Sequence, residues 1–330
     1  MPAKEATVVV VHPMVHPDGE KYLATHCRCV RIVSSDVDEI ATALNHADAV
    51  IARSPVDLSA ELLKGAPSLR VVSASGAGYD YIDMNAATSL GLPVLYAPDV
   101  GAGAVSEFVI GAMIAMSRKM LITDAAVRDP ELIWSRRTRD LLGVGLEGKT
   151  IGILGYGRIG QRVGALARAF DMNVAVIHNS SRQAHVPNYL DVTTHADLET
   201  LLSGCDFISV HIPRTASESF SVGAKEIAKM QLGGYLINTS RGGVVDEAAV
   251  AAALRAGKLG GAAFDVFADE PKVNLSPLLS APNVLLSPHI AGLTDVAVQR
   301  LALGVARNVV SALDGEFQGL PVVNREALQL

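Results

Sequence analysis

Cysteine is scarce in this 330-residue chain. Cys27, Cys29 and Cys205 give an odd count of three, without the even, regularly spaced set of a disulfide framework, which suits a reducing compartment. Cys27 and Cys29 flank Arg28 beside His26, but no second ligand pair follows at a useful spacing, so no metal is expected. Basic charge is not in excess either: 28 Lys and Arg stand against 34 Asp and Glu, a formal charge of −6. Nucleic acid and an anionic membrane both need a basic face, and neither is expected as a partner. A small anionic substrate is compatible, because one local Arg matters more to it than net charge. The longest apolar run in a helical context, FVIGAMIAM at 108–116, is about half of what a membrane span needs. The start, MPAKEATVVVVHP, has one short apolar run that reads as a strand and lacks a secretion signal's longer apolar segment and cleavage site, so the expected location is cytoplasmic. There is no low-complexity stretch and no short-period repeat.

What is present is a large apolar inventory, 49% of residues, with a mean hydropathy of +0.30. At this length two domains of ordinary size are expected. Short β-rich runs alternate with helical patterns: ATVVVVH (6–12), CVRIVS (29–34), ADAVIARS (47–54), LRVVSASG (69–76) and LPVLYAP (92–98). A second series follows: TIGILG (150–155), NVAVIH (173–178), FISVHI (207–212), GGYLINTS (233–240), GGAAFDV (260–266) and NVLLSP (283–288). This is the pattern of parallel sheets covered by helices, an α/β fold with two doubly wound domains. Between the series, residues 102–120 read as one helix that is apolar around most of its circumference and therefore buried on two sides or in a subunit contact. The last helical pattern, 295–315, has no strand after it. It is expected to close the first domain, giving a substrate domain of 1–100 and 291–330 with a nucleotide domain of 101–290 set into it.

ILGYGRIGQRVG places Gly155, Gly157 and Gly160 between a strand and a helix. The first glycine serves a tight turn, the second close approach of a pyrophosphate, and the third close packing of helix on strand; the helix N-terminus faces the anion. In such a unit the second strand ends in an acid that holds the adenosine ribose, but here it ends in His178. A carboxylate there repels a 2′-phosphate, and its absence removes that repulsion. Asn179, Ser180 and Ser181 offer neutral hydrogen bonds, and Arg182 a charge-assisted one. NADPH is therefore expected in preference to NADH, with NAD possible.

Three separated stretches stand out together: LINTSRGGVVDE with Arg241, AAFDVFADEP with Glu270, and LLSPHIAG with His289. Each follows a strand of the second series, at the end where an open α/β sheet binds its ligand. Singly each has an ordinary reading, as a solvated turn residue, part of an exposed turn and a structural histidine. Together with SASGAGYDYIDMNAA, the glycine loop and HIPRT, in this order and spacing, they resemble the D-isomer specific 2-hydroxyacid dehydrogenase family over nearly the whole chain.

The resemblance implies a Rossmann NAD(P)-binding domain inserted in a flavodoxin-like substrate domain, a homodimer, and catalysis by Arg241, Glu270 and His289. It implies cofactor contacts from Arg158, Ile159, His211, Pro213, Thr215, Thr239 and Asp265, the last holding the nicotinamide carboxamide. It also implies substrate contacts from Gly76, Ala77 and Gly78. The chemistry agrees with the residue types. Reduction of a 2-oxo acid needs a hydride at C2, a proton for the developing alkoxide and a cation for the carboxylate. Arg241, always charged and able to bind through two donors, suits the carboxylate and oxo group. His289 suits the general acid of reduction and base of oxidation, with Glu270 favouring its imidazolium form. Glyoxylate and hydroxypyruvate are the substrates implied by relatives lacking the acid at position 178. The alternatives are an NAD-linked dehydrogenase of a larger 2-hydroxy acid and a dinucleotide-sensing binding protein of the same fold. Asp246 reads as a helix N-cap, and His12 and His16, each next to a proline, as part of a loop. Ser54 is a weaker candidate for the pocket wall.

Overall fold

A computed structural model of the chain describes residues 3–53, 56–98, 100–128, 141–177, 192–213 and 222–330. The chain divides into two compact units, Met1–Gly101 with Leu293–Leu330, and Ala102–Gly292.

The first unit holds five parallel strands: β1 (Thr7–Val11), β2 (Arg28–Ile32), β3 (Ala49–Ala52), β4 (Val71–Ala74) and β5 (Val94–Leu95), in the order β2-β1-β3-β4-β5. That is the flavodoxin-like order. All four valines of β1 are buried, because helices cover both faces, so the strand reads as a continuous apolar run instead of an alternating one. Val8, Val10 and Ile51 pack on one face with Leu23, Ala302, Val305 and Val309. Val9, Val11 and Val50 pack on the other with Ile40, Leu44, Leu62 and Leu63. The helix Asp295–Leu313 therefore belongs to this unit. By length and composition alone it is apolar enough to cross a membrane, but its apolar stripe is part of this core. The apolar run at 92–98 yields only a two-residue strand. Beside it Val323 donates to the Val94 carbonyl, and Val322 bridges Leu95 in the antiparallel sense.

The second unit holds seven parallel strands among the described residues: β6 (Thr150–Leu154), β7 (Asn173–Ile177), β8 (Thr193–His195), β9 (Phe207–Val210), β10 (Gly234–Asn238), β11 (Leu259–Phe264) and β12 (Val284–Leu286). Their order, β12-β11-β10-β9-β6-β7-β8, is the Rossmann order with one strand added. The order reverses between β6 and β9, and there the glycine loop begins. β8 was not expected: its Thr-Thr-His sequence lies half-buried or exposed at the sheet edge and carries no apolar signal.

The helix expected over 102–120 stops earlier, at Ser117. Lys119 adopts a left-handed φ of 54°, and Val144 donates to the Ser117 carbonyl at 2.7 Å. The returning chain thus takes an acceptor from the helix end, and a second helix, Met120–Arg128, starts with no buried residue. Only part of the first helix is buried, including Val109, Met113 and Met116, which pack with Ile151, Val163 and Ile237.

Candidate active site

The glycine loop is built as an anion cradle. Gly155 has a φ of +95°, and a Cβ on it would lie 2.6 Å from the His211 carbonyl oxygen, so only glycine fits this turn. A Cβ on Gly160 would meet the Gly155 carbonyl at 2.3 Å, whereas one on Gly157 would meet nothing within 4 Å among the described residues. Gly157 is the N-cap of the helix Arg158–Ala169 and offers no side-chain cap. The 12-residue helix therefore starts without a side-chain cap, at the end where its dipole favours an anion. Arg158 is exposed and Ile159 half-buried beside them.

Along the sheet edge the next positions past the strand ends are His211 after β9, Thr239 after β10 and Asp265 after β11. His211 pairs through Nε2 with Ser209 Oγ at 2.8 Å, and burial pushes its pKa down to about 4, so its imidazole is neutral. Among the described residues, its buried Nδ1 and the buried Thr239 hydroxyl have no hydrogen-bond partner. Orphaned polar atoms of this kind are uncommon in native interiors, and both lie at the edge where a Rossmann sheet binds its dinucleotide. The residues present therefore fit a nicotinamide dinucleotide. Pro213 is exposed on the same loop.

Arg241, Glu270 and His289 come together from three loops. Asn238, buried at the end of β10, shapes the first: its Oδ1 accepts from Ser240 N and Ser240 Oγ, and its Nδ2 donates to the Arg241 carbonyl at 3.2 Å. A Cβ on Gly242 would fall 1.7 Å from the Phe267 carbonyl oxygen, so the Arg241 loop and the Glu270 loop touch backbone to backbone. In the second loop Glu270 accepts from Phe267 N at 2.7 Å through Oε1, and its Oε2 lies 2.8 Å from His289 Nδ1. The third loop is tied to Asp265, which is 1% exposed. Its carboxylate accepts from Ser287 Oγ, Ile290 N and Ala291 N at 2.6, 2.8 and 2.8 Å. Both Asp265 oxygens are thus engaged inside the protein, and a carboxamide bond would add to these.

The electrostatics follow from this geometry. The hydrogen bond to Glu270 raises the His289 pKa above its ordinary value. Burial opposes it, the Glu270 and Asp265 charges reinforce it, and the Arg241 charge opposes it. For Glu270, burial favours the neutral acid, but the His289 hydrogen bond, the Phe267 amide and the charges of His289 and Arg241 together outweigh it, so its pKa is lowered. The pair is a carboxylate beside an imidazole that holds its proton more firmly than usual.

The other expected residues are placed by their own units. Gly76, Ala77 and Gly78 belong to the first unit, just past β4; the Gly76 carbonyl accepts from Ala97 N at 2.8 Å, Ala77 is exposed, and the Ser75 hydroxyl beside them is buried without a partner among the described residues. Asp246 caps the helix Glu247–Arg255 through Ala248 N and Ala249 N. His16 caps the helix Pro17–His26, and His26 stacks on Tyr22. Cys27 donates to the Leu23 carbonyl, and burial pushes its thiol up to about 12. Ser54, His178, Asn179, Ser180, Ser181, Arg182 and Thr215 lie outside the described residues. Sequence reading missed Asn238, Gly242 and Ser287. The only signal for Asn238 was a polar residue closing an otherwise apolar strand.

Comparison with known proteins agrees with the geometry. The family model described as D-isomer specific 2-hydroxyacid dehydrogenase, NAD binding domain, matches residues 110–291. Glyoxylate reductase of Thermofilum pendens is 36% identical over 295 residues, covering 89% of this chain and 86% of that one. D-3-phosphoglycerate dehydrogenase of Archaeoglobus fulgidus is 35% identical over 280 residues, 84% of this chain but 51% of its own length. Among solved structures, an NADPH-dependent glyoxylate/hydroxypyruvate reductase from Sinorhizobium meliloti, in complex with NADP and malonate, superposes with a TM-score of 0.85 at 29% identity, covering 97% of each chain.

Proposed function

Because the chain belongs to the D-isomer specific 2-hydroxyacid dehydrogenase family, we propose that this NAD(P)-dependent oxidoreductase reduces small 2-oxo acids, glyoxylate or hydroxypyruvate, with NADPH preferred. The observation that carries the catalytic assignment is the 2.8 Å contact of His289 Nδ1 with Glu270 Oε2, with the Arg241 charge acting on both. Glu270 fixes the proton on Nδ1, which leaves Nε2 as the atom that exchanges a proton with substrate oxygen. Bound reduced nicotinamide supplies the hydride. Arg241 holds the substrate carboxylate and polarises the oxo group; His289 donates to the developing alkoxide in reduction and takes the proton back in oxidation. The cofactor would lie on the Gly155–Gly160 turn, with His211 Nδ1 and Thr239 Oγ1 as unfilled partners. Gly76, Ala77 and Gly78 are the loop proposed to approach the substrate carboxylate.

The NADPH preference is supported by the missing acid at His178, by Arg182 four residues on, and by the NADPH dependence of the S. meliloti relative. The test is steady-state kinetics with NADPH and NADH in parallel, across glyoxylate, hydroxypyruvate, 3-phosphohydroxypyruvate and bulkier 2-oxo acids. Turnover of the two small acids with NADPH is the expected result. No consumption of reduced nicotinamide with any acid would favour a binding protein, and selective use of the phosphorylated acid with NADH would favour the phosphoglycerate branch.

A further inference from the structure

We infer that Glu247 is a positioning residue for the Glu270–His289 pair, its carboxylate clamping both ends of the loop that carries Glu270. This rests on the catalytic reading of that pair. Glu247 opens the helix Glu247–Arg255, but Asp246 already caps that helix, and Glu247 turns its carboxylate outward instead. Oε1 accepts from Ala268 N at 2.7 Å, and Oε2 accepts from Ser276 Oγ. The two anchors enclose Glu270. Phe267 and Leu278 are buried on either side of the loop, but between them residues 268–272, 274 and 275 are exposed, so burial does little to hold the segment. Its internal bonds, Lys272 N to the Asp269 carbonyl and Ser276 N to the Val273 carbonyl, make it compact without fixing where it sits. The consecutive amides of Phe267 and Ala268 go to different carboxylates, Glu270 and Glu247. Removing Glu247 leaves the turn held from one side, and Glu270 becomes free to leave His289 Nδ1.

The charges around the pair make the effect separable from a general field effect. Glu270 faces His289 from this loop, Asp265 from the end of β11 and Arg241 from the loop after β10. Asp246, Asp269 and Lys272 line, with Glu247, a half-open pocket of about 200 Å³ to which the loop itself contributes. Glu247→Gln removes the charge but keeps an acceptor for Ala268 N and a side-chain amide for Ser276 Oγ, whereas Glu247→Ala removes both.

The experiment measures the His289 titration in the cofactor-bound enzyme, by NMR of its ring and by the pH profile of reduction, with His289→Asn as assignment and control. Glu247→Ala is expected to move the titration down towards the ordinary histidine value and to lower kcat about ten- to a hundredfold, with the KM for cofactor unchanged; Glu247→Gln is expected to behave as the parent. Ser276→Ala, which cuts one anchor, should give a smaller shift in the same direction and serves alone if Glu247→Ala does not fold. An unmoved titration in these variants, or equal shifts in Glu247→Ala and Glu247→Gln, overturns the inference. Full activity in His289→Asn would instead overturn the catalytic reading of the pair.

Discussion

Asp265 holds the backbone of His289 in place: its carbonyl accepts from His289 N at 2.7 Å, and its carboxylate takes the next two amides, of Ile290 and Ala291, and the Ser287 hydroxyl. The arrangement explains how His289 sustains a left-handed φ of 56°, a conformation few non-glycine residues adopt although histidine is among the more tolerant. Asp265→Ala should therefore cost roughly 3 kcal/mol of stability, since it strands three donors, the Ala291 amide buried and the other two partly so, that met one carboxylate. It should also lower kcat by misplacing the imidazole. Urea unfolding and steady-state kinetics on the same variant check both effects, and Asp265→Asn, which keeps one acceptor oxygen, should fall between.

Much of this was legible in the sequence because the signals are local. The Val run of β1 and the strand–glycine–helix succession around Gly155 announce themselves within a dozen residues, and their parallel sheets follow. Arg241, Glu270 and His289 were visible as residue types at strand ends, because an open α/β sheet binds at that edge. What holds them was not visible. The bonds from Asp265 to 287–291, the contact of Gly242 with Phe267 and the clamp from Glu247 join residues 21 to 29 positions apart, and nothing in either local stretch specifies its partner. The polar strand β8 was illegible for the opposite reason, having pairing but no apolar signature.

The pH dependence has a definite sign. His289 holds its proton to a pH above its ordinary value, first through the hydrogen bond to Glu270. Reduction, which needs imidazolium, should be full below that ordinary value and fall as pH rises through the raised one; oxidation should rise over the same interval. Glu270→Gln removes the largest cause of the shift, so the reduction profile should move to lower pH. The pair also contributes stability within a window. The His289 part is lost as pH rises through its raised pKa, and the Glu270 part as pH falls through its lowered one. Profiles of kcat in both directions, with wild type and Glu270→Gln, measure these shifts.

Arg241 should not tolerate lysine. Its turn is fixed by Asn238, and its Nη1 already donates to the Ser240 carbonyl at 2.8 Å, which orients the guanidinium plane. A lysine ammonium keeps the charge but not the planar two-donor fork. Arg241→Lys and Arg241→Ala should both lose about a hundredfold or more in kcat/KM for the oxo acid, with the dissociation constant for the reduced cofactor, read by nicotinamide fluorescence, nearly unchanged.

Cofactor choice should move with Arg182. The proposed NADPH preference rests on a guanidinium that would give a charge-assisted bond to a 2′-phosphate, a group NADH lacks. Arg182→Ala should raise the KM for NADPH about tenfold or more while leaving that for NADH almost unchanged. Introducing an acid, His178→Asp, should restore the repulsion and shift the preference towards NADH. Parallel titrations with both cofactors check the pair, and equal losses for the two would remove Arg182 from the nucleotide site.

The three glycines of the loop should separate into folding and binding roles. Gly155→Ala forces a methyl group to within 2.6 Å of the His211 carbonyl at a φ of +95°; backbone cannot yield cheaply there, so stability and cofactor binding should fall together. Gly160→Ala meets the Gly155 carbonyl at 2.3 Å and should behave alike. Gly157→Ala meets no atom of the described residues within 4 Å beyond its chain neighbours, and alanine accepts its negative φ, so the melting temperature of the cofactor-free protein should hardly change. Its methyl group would instead stand at the start of a helix without a side-chain cap, where the proposed pyrophosphate would approach. Weakened dinucleotide binding with intact stability is therefore the expected result for Gly157→Ala, measured by calorimetric titration beside thermal unfolding, and unimpaired binding would mean that the phosphates do not approach the chain at this glycine.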